Sequence, residues 1–191
     1  MFSDNSAPLV TVSLVVLLVV LIAYLWRKHT ARSADPLRVV SVKSMHDILL
    51  PDQMGGQIHL ENLLLTAKGF VVLDVKTVDG TIFGGDRLDE WTVIGSPQRY
   101  TFPNPQPALY DRVAALKKFI RDMPVTGHVL FLGDAQFSKG RPTDAIFPDE
   151  LQERYRKPDS AELERLMEAF ELHWEKVQEV SVPAPTVVRP V

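Results

Sequence analysis

The N-terminal part of the chain contains a long hydrophobic run. Residues 9–26 have the sequence LVTVSLVVLLVVLIAYLW, and no charged side chain occurs between Asn5 and Trp26. As a helix that rises about 1.5 Å per residue, this run would be about 27 Å long, close to the hydrocarbon thickness of a bilayer. The pattern therefore predicts one transmembrane helix over residues 9–26, preceded by a short extracytoplasmic segment, 1–8.

Basic residues follow this run directly. Arg27, Lys28 and Arg32 lie on its C-terminal side, and no Lys or Arg precedes it. Because positive charge favours the cytoplasmic side, we expect a single-pass protein of the inner (cell) membrane with a cytoplasmic C-terminal domain. A cleaved signal peptide requires a positive segment before the run, and a buried core helix is usually amphipathic, so both alternatives are weaker.

After a polar linker at 27–36, the hydrophobic pattern changes to the short period of β-strands. Asp79-Gly80 is a hairpin signal, which predicts that 81–83 returns antiparallel to the strand before it. A further hairpin is predicted around Gly95-Ser96-Pro97. The predicted strands are Gln57–Thr66, Phe70–Val75, Thr81–Phe83, Trp91–Ile94, Arg99–Phe102 and Gly127–Leu132.

Two segments have helical periodicity instead. The first carries Leu109, Val113, Leu116 and Ile120 on one face. The second starts at a capping pair, Asp159 and Glu162, and carries an apolar stripe that forms core or a dimer face: Leu163, Met167, Phe170, Trp174 and Val177. We therefore predict one α/β domain over 37–180, a mixed β-sheet flanked by helices, and a disordered proline-rich tail at 181–191.

Composition narrows the chemistry. The net charge of −3 argues against a protein that coats nucleic acid by charge alone, so any such contact must be local. Without cysteine, thiolate metal sites, cysteine nucleophiles and disulfides are excluded, and a metal would need oxygen or imidazole ligands. The chain also lacks a phosphate-binding glycine loop, a dinucleotide fingerprint and a nucleophile elbow.

Three charged residues in apolar strand segments stand out. Asp74 and Lys76 are two residues apart and so project from the same face of one strand, while Glu61 lies on the preceding strand. If Glu61 lies opposite Asp74, two carboxylates and an ammonium converge, a set that suits Mg²⁺-assisted phosphodiester hydrolysis. A cross-strand salt bridge on a solvated sheet face explains the same residues, and spacing alone favours it.

The segment from about residue 45 to 135 resembles the nuclease-related domain (NERD) family of the PD-(D/E)xK nuclease superfamily. The resemblance rests on Glu61, Gly69, and Asp74-x-Lys76 followed by a glycine hairpin, with Leu50-Pro51, Trp91 and Asn104-Pro105 as further likenesses. It implies a restriction-endonuclease-like fold, Mg²⁺ at Glu61 and Asp74, and Lys76 beside the attacking water.

The chain also departs from the family pattern. It has no Gly-x-x-Gly-Glu segment ahead of the sheet, the two acids are exchanged, and Ala108 stands where the family carries glutamine, with Gln106 two residues earlier. His59 shares a strand face with Glu61 and is a further candidate ligand. Basic side chains at 112, 117, 118, 121, 139 and 141 could contact phosphates, although ordinary solvated faces, balanced by Asp111 and Asp122, are the better explanation.

The leading hypothesis is a membrane-anchored, Mg²⁺-dependent nuclease acting on DNA, with Glu61, Asp74 and Lys76 as its catalytic residues. An alternative is a catalytically inactive module on the same fold, anchored at the membrane to bind nucleic acid or a protein. A third is a purely structural membrane protein that acts through its last helix.

Overall fold

A computed structural model of the protein describes residues 35–52, 55–95 and 97–185. The chain divides into two compact units, 1–38 and 39–191, and both β-sheets belong to the second. The predicted transmembrane helix, 9–26, lies outside the described residues, as do 1–8 and most of the linker. Within the described ranges, no helix has the length and apolar character needed to span a bilayer.

The elements follow one another in a mixed order of strands and helices. In chain order they are α1 Pro36–Val40, β1 Lys43–Pro51, β2 Gln57–Thr66, β3 Gly69–Thr77, β4 Gly80–Phe83, β5 Glu90–Ile94, β6 Arg99–Pro103, α2 Gln106–Phe119, β7 Val125–Leu132, β8 Ala135–Phe137, β9 Ala145–Ile146, α3 Pro148–Arg154, α4 Ser160–Val180 and β10 Val182–Pro183. The fold is a mixed α/β fold with two mixed sheets flanked by helices.

The larger sheet has the strand order β10-β1-β2-β3-β7-β9. Strand β3 lies near its centre, antiparallel to β2 and parallel to β7, and residues 69–74 are all buried. This position explains why FVVLDV is an almost continuous apolar run, since a strand covered on both faces shows no polar alternation.

Helices cover both faces of this sheet. On one face, α2 lies over Gly127, where an added Cβ would sit 2.7 Å from Val113 Cγ2, so the glycine permits the close approach. On the same face, Trp174 of α4 stacks on Phe70 with ring centroids 6.0 Å apart. On the other face, Tyr155, just after α3, contacts His128.

The smaller sheet has the order β6-β5-β4-β8, and its inner face packs on the larger sheet through Trp91, which stacks on Phe131. The predicted hairpin at Asp79-Gly80 is wrong. Strand β4 pairs with β5 and β8 and not with β3, because β3 already has β2 and β7 as neighbours. Adjacent strands β3 and β7 instead continue side by side into β4 and β8, and Asp134 N donates to Asp79 Oδ1 where they cross.

Other local predictions are confirmed. The β5–β6 hairpin forms, α2 starts with Pro107 in its first turn, and Asp159 accepts the capping hydrogen bond from Glu162 N at 3.0 Å. The stripe on α4 is core at Trp174 and Val177, with Met167 and Phe170 packed against it. The tail requires a correction, because Val182–Pro183 pair with β1 as a short strand; residues 186–191 lie outside the described ranges.

Candidate active site

A cleft of about 420 Å³ opens between the end of β3 and the edge strand β6 of the smaller sheet. Asp74, Lys76 and Arg112 form its polar wall, and Tyr100 and Phe102 belong to its apolar wall. Asn104-Pro105 also lines the cleft. There, Asn104 Oδ1 accepts from Gln106 N at 3.0 Å, which fixes the start of α2 beside the site.

Asp74 is the most deeply buried charged group of the cleft, at 4% exposure. Arg112 Nη1 donates to its Oδ2 at 2.8 Å, whereas Oδ1 is buried without a hydrogen-bond partner. Burial raises the pKa of this carboxyl above its usual value, against the opposing effects of Arg112, Lys76 and His59. The site therefore holds a buried carboxylate oxygen whose hydrogen-bonding capacity is not used by any described residue.

Glu61 lies across from Asp74. The β2–β3 register pairs Asn62 with Leu73, so the next position places Glu61 opposite Asp74 on the same sheet face. The backbone pairing of β2 with β3 ends at Asn62 and Leu73. Beyond it, Val75 N donates to the Glu61 side chain, at 3.3 Å from Oε2. Partial burial raises the pKa of the Glu61 carboxyl, and the charge of Asp74 adds to that effect. The two acids are thus electrostatic neighbours.

Lys76 completes the predicted trio. It projects from the same face of β3 as Asp74, is half-buried and lines the cleft. Its positive charge partly opposes the rise in the pKa of both acids, yet its ammonium makes no direct hydrogen bond or ion pair with another described residue. A free ammonium at the mouth of a cleft is suited to bind an anionic group.

His59 is engaged elsewhere. Its Nε2 lies 3.2 Å from Asp47 Oδ1 on β1, and its backbone carbonyl accepts from Arg112 Nε at 2.7 Å. The sequence placed His59 on the face of Glu61 as a candidate ligand, and its imidazole instead contacts a carboxylate of the neighbouring strand. Asp47 itself has the left-handed φ of 48°, unusual for a residue other than glycine.

Gln106 also points away from the cleft. It is buried, and its Nε2 donates to Asp86 Oδ1 at 3.0 Å, in a polar cluster with Tyr110 and Asp144. The Tyr110 hydroxyl donates to Asp144 Oδ2 at 2.6 Å, which raises the pKa of Tyr110 to about 12. Ala108, at the position where the family carries glutamine, is the residue that lines the cleft.

Arg112 is the residue that sequence reasoning undervalued. The sequence alone favours a solvated position for this side chain, yet its guanidinium links β2 to β3 through the His59 carbonyl and Asp74. A signal for this role was available. Arg112 lies three residues after Leu109 and four before Leu116, so it shares the buried face of α2 and points towards the sheet.

The donor set suits a hard divalent cation. Mg²⁺ is usually held by one or two carboxylates and keeps several waters. Asp74, with its unpartnered Oδ1, lines the cleft, whereas Glu61 lies opposite Asp74 on β2 and outside the cleft lining. In the part of the chain that the structure describes, no group of three or more His, Asp or Glu side chains is arranged to hold a metal. A cation here would therefore complete its coordination with water or substrate oxygens.

Residues 24–132 match the family model of the nuclease-related domain. The match covers more than half of the chain and includes β1 to β7 with the whole trio, so the chain belongs to the nuclease-related domain (NERD) family. It begins earlier than the resemblance at 45–135 suggested. No curated protein and no solved structure matches the chain.

Proposed function

We propose that this protein is a membrane-anchored nuclease that hydrolyses DNA phosphodiester bonds in the cleft with the help of Mg²⁺. The observation that carries the proposal is Asp74, a buried carboxylate with one unpartnered oxygen, opposite Glu61 and two residues from a free Lys76. Membership of a nuclease-related family supports it, because these are the positions at which the resemblance implies the catalytic residues.

Each residue of the trio has a defined task in this reaction. Glu61 and Asp74 would hold the cation, which when bound polarises the scissile phosphate and acidifies a bound water. The Lys76 ammonium stabilises the negative charge that develops on the phosphoryl oxygens and orients the attacking water. Arg112 is a positioning residue, since its contact with Oδ2 holds the Asp74 carboxylate and leaves Oδ1 as the oxygen that would bind a cation.

The membrane anchor is the other half of the proposal. The uncharged run at 9–26 and the basic residues directly after it support a single-pass helix in the inner membrane, with the nuclease domain in the cytoplasm. Such an anchor would restrict cleavage to DNA that reaches the membrane surface.

The test is plasmid cleavage by the purified full-length chain in mild detergent, with Mg²⁺ or with EDTA. We expect nicking only with Mg²⁺, and a loss of at least about 100-fold in Asp74→Asn and Lys76→Met, the size typical for removal of a group that stabilises transition-state charge. Lys117→Met is the matched control, because Lys117 is an exposed lysine of α2 outside the cleft. Undiminished cleavage by Asp74→Asn would refute this assignment.

A second candidate function is a catalytically inactive module that binds nucleic acid. One observation favours it: each acid already uses one oxygen to accept from a protein donor, Asp74 from Arg112 and Glu61 from Val75 N. In that case the guanidinium neutralises Asp74 in place of a cation. Salt-sensitive DNA binding by the wild type, with no cleavage in Mg²⁺ or Mn²⁺ and no Mn²⁺ binding by calorimetry, would identify this function.

A further inference from the structure

The two walls of the cleft differ in chemistry. One wall carries the cations Lys76 and Arg112 around Asp74. The facing wall is aromatic and apolar, formed by Tyr100, Phe102 and Pro103 of β6. Asp74, Lys76 and Arg112 account for the polar wall, but phosphodiester hydrolysis does not by itself require an aromatic surface opposite it.

The position of β6 explains why these rings face the cleft. Phe102 pairs with Trp91 and Tyr100 with Val93, so both project from the inner face of the smaller sheet. Trp91 and Val93 are buried in the core, whereas β6 is the edge strand and extends past it. Tyr100 is therefore on the core-facing side of the sheet and is still 42% exposed.

The aromatic wall is supported by packing against the core. Trp91 packs edge-on against Phe102 with ring centroids 5.9 Å apart, and Tyr100 lies 6.4 Å from Phe102. Trp91 is itself fixed by the core and by a hydrogen bond from its Nε1 to the Gly85 carbonyl. A supported ring with an open face loses little conformational entropy when a flat ligand stacks on it.

A flat group joined to an anion fits this arrangement. The volume of about 420 Å³ lies within the range of small-ligand pockets and can admit one nucleotide unit. In a duplex the bases already stack on one another inside the helix, so only an unpaired base can reach an aromatic wall within a cleft. A duplex could present its phosphates to Lys76 but would leave the aromatic wall unused.

We propose that the cleft takes single-stranded nucleic acid, with an unpaired base stacked on Tyr100 and the adjoining phosphate at Lys76 and Arg112. This inference rests on the proposed function for its choice of substrate class, and it adds that single strands or unpaired ends are preferred to duplex. The stacking contact is tolerant of base identity, because every base has a π-face.

The test is fluorescence anisotropy with the full-length chain in EDTA, where no metal-dependent cleavage occurs. The probes are a labelled 20-nucleotide oligo(dT), its duplex with oligo(dA), and oligo(rU). We expect single strands to bind more tightly than duplex, and Tyr100→Ala to lose about 5- to 150-fold in single-strand affinity. Tyr100→Phe and Tyr100→Trp should retain it.

Ile94→Ala is the matched control, because Ile94 is similarly exposed on β5 but projects from the opposite face of the same sheet. Tighter binding of oligo(dT) or of oligo(rU) than of the duplex supports the proposal. Comparison of the two single strands shows whether the cleft prefers DNA or RNA. Equal affinity of Tyr100→Ala and wild type for single strands overturns it, and so does tighter wild-type binding to the duplex.

The failure of this inference differs from failure of the proposed function. If Tyr100→Ala binds and cleaves like the wild type while Asp74→Asn is inactive, the proposed nuclease activity is supported and the proposed stacking on Tyr100 is refuted. If neither the wild type nor any variant cleaves, yet Tyr100→Ala alone loses single-strand binding, the aromatic wall binds single strands in a protein that is not a nuclease.

Discussion

Arg112 and Asp74 form the ion pair that shapes the cleft. The side chain of Asp74 is 6% exposed and that of Arg112 21%, so the pair is shielded from solvent screening. A buried carboxylate that loses its partner incurs the full desolvation penalty, whereas removal of both charges is far less costly. The contribution of this ion pair to the free energy of unfolding can therefore be tested without measuring catalysis.

We expect Arg112→Met to lower the free energy of unfolding by about 2–3 kcal/mol, because Asp74 is left buried without its donor. The double variant Arg112→Met with Asp74→Asn should recover most of this loss. Urea denaturation followed by tryptophan fluorescence gives both values, with Lys117→Met as the surface control at within about 0.5 kcal/mol of wild type. A double variant as unstable as the single one would contradict the ion-pair account.

His128 links stability to pH on the opposite face of the larger sheet. Its Nε2 lies 2.8 Å from the Tyr155 hydroxyl, and burial together with the charge of Arg154 lowers its pKa to about 4. The unfolded chain takes up this proton near pH 6.5, so it binds protons more readily than the folded state.

Above pH 6.5 His128 is neutral in both the folded and the unfolded chain, so it does not destabilise the fold. As the pH falls from 6.5 towards 4, protonation of the unfolded chain lowers the free energy of unfolding by up to about 3 kcal/mol. His128→Gln should remove this part of the pH dependence. Denaturation curves at pH 7 and pH 5 measure it. If the variant and the wild type lose the same free energy between these two values, His128 is not responsible.

The β2–β3 turn depends on one glycine. Gly69 has a φ of 104°, and an added Cβ would lie 2.5 Å from the Pro124 carbonyl oxygen. The same carbonyl accepts from Phe70 N at 2.9 Å, so this turn also sets where β7 begins its parallel pairing with β3. The glycine of the family motif is thus required by the backbone and not by the chemistry of the site.

We expect Gly69→Ala to destabilise the fold by about 2 kcal/mol or more, since strain at positive φ adds to a clash with backbone that cannot move aside. Gly140→Ala separates the two effects. Gly140 has a similar φ of 82° with nothing within 4 Å of an added Cβ, so strain alone should cost it about 1 kcal/mol. Thermal unfolding compares them, and equal losses would mean that the Pro124 contact is unimportant.

For the complete molecule, the hydrophobic run at 9–26 predicts that the protein partitions into the membrane fraction of a cell lysate. We expect the full-length chain to remain in the membrane fraction after alkaline carbonate washing. Leu14→Arg with Leu18→Arg should release it, because each arginine near the middle of the run costs about 2.5–3.5 kcal/mol of insertion free energy. Leu14→Ile with Leu18→Ile is the matched control. Retention of the arginine variant would argue against a spanning helix.

Local pattern was sufficient for much of the domain. The strand segments of β2, β3 and β7, the β5–β6 hairpin, α2 and the Asp159 cap all follow from periodicity and capping chemistry within a few residues. The shared face of Asp74 and Lys76 also follows from alternation along one strand. These features depend on neighbours in sequence, which is why they could be predicted.

Tertiary structure decided the rest. The bend at Asp79-Gly80 carries the chain into a second sheet because β7, about fifty residues later, occupies the edge of β3 that a hairpin would need. Arg112 reaches Asp74, and Gln106 turns to Asp86, through contacts between segments far apart in the chain. Such contacts are set by how elements pack, and hydrophobic periodicity carries no information about which distant side chain will face which.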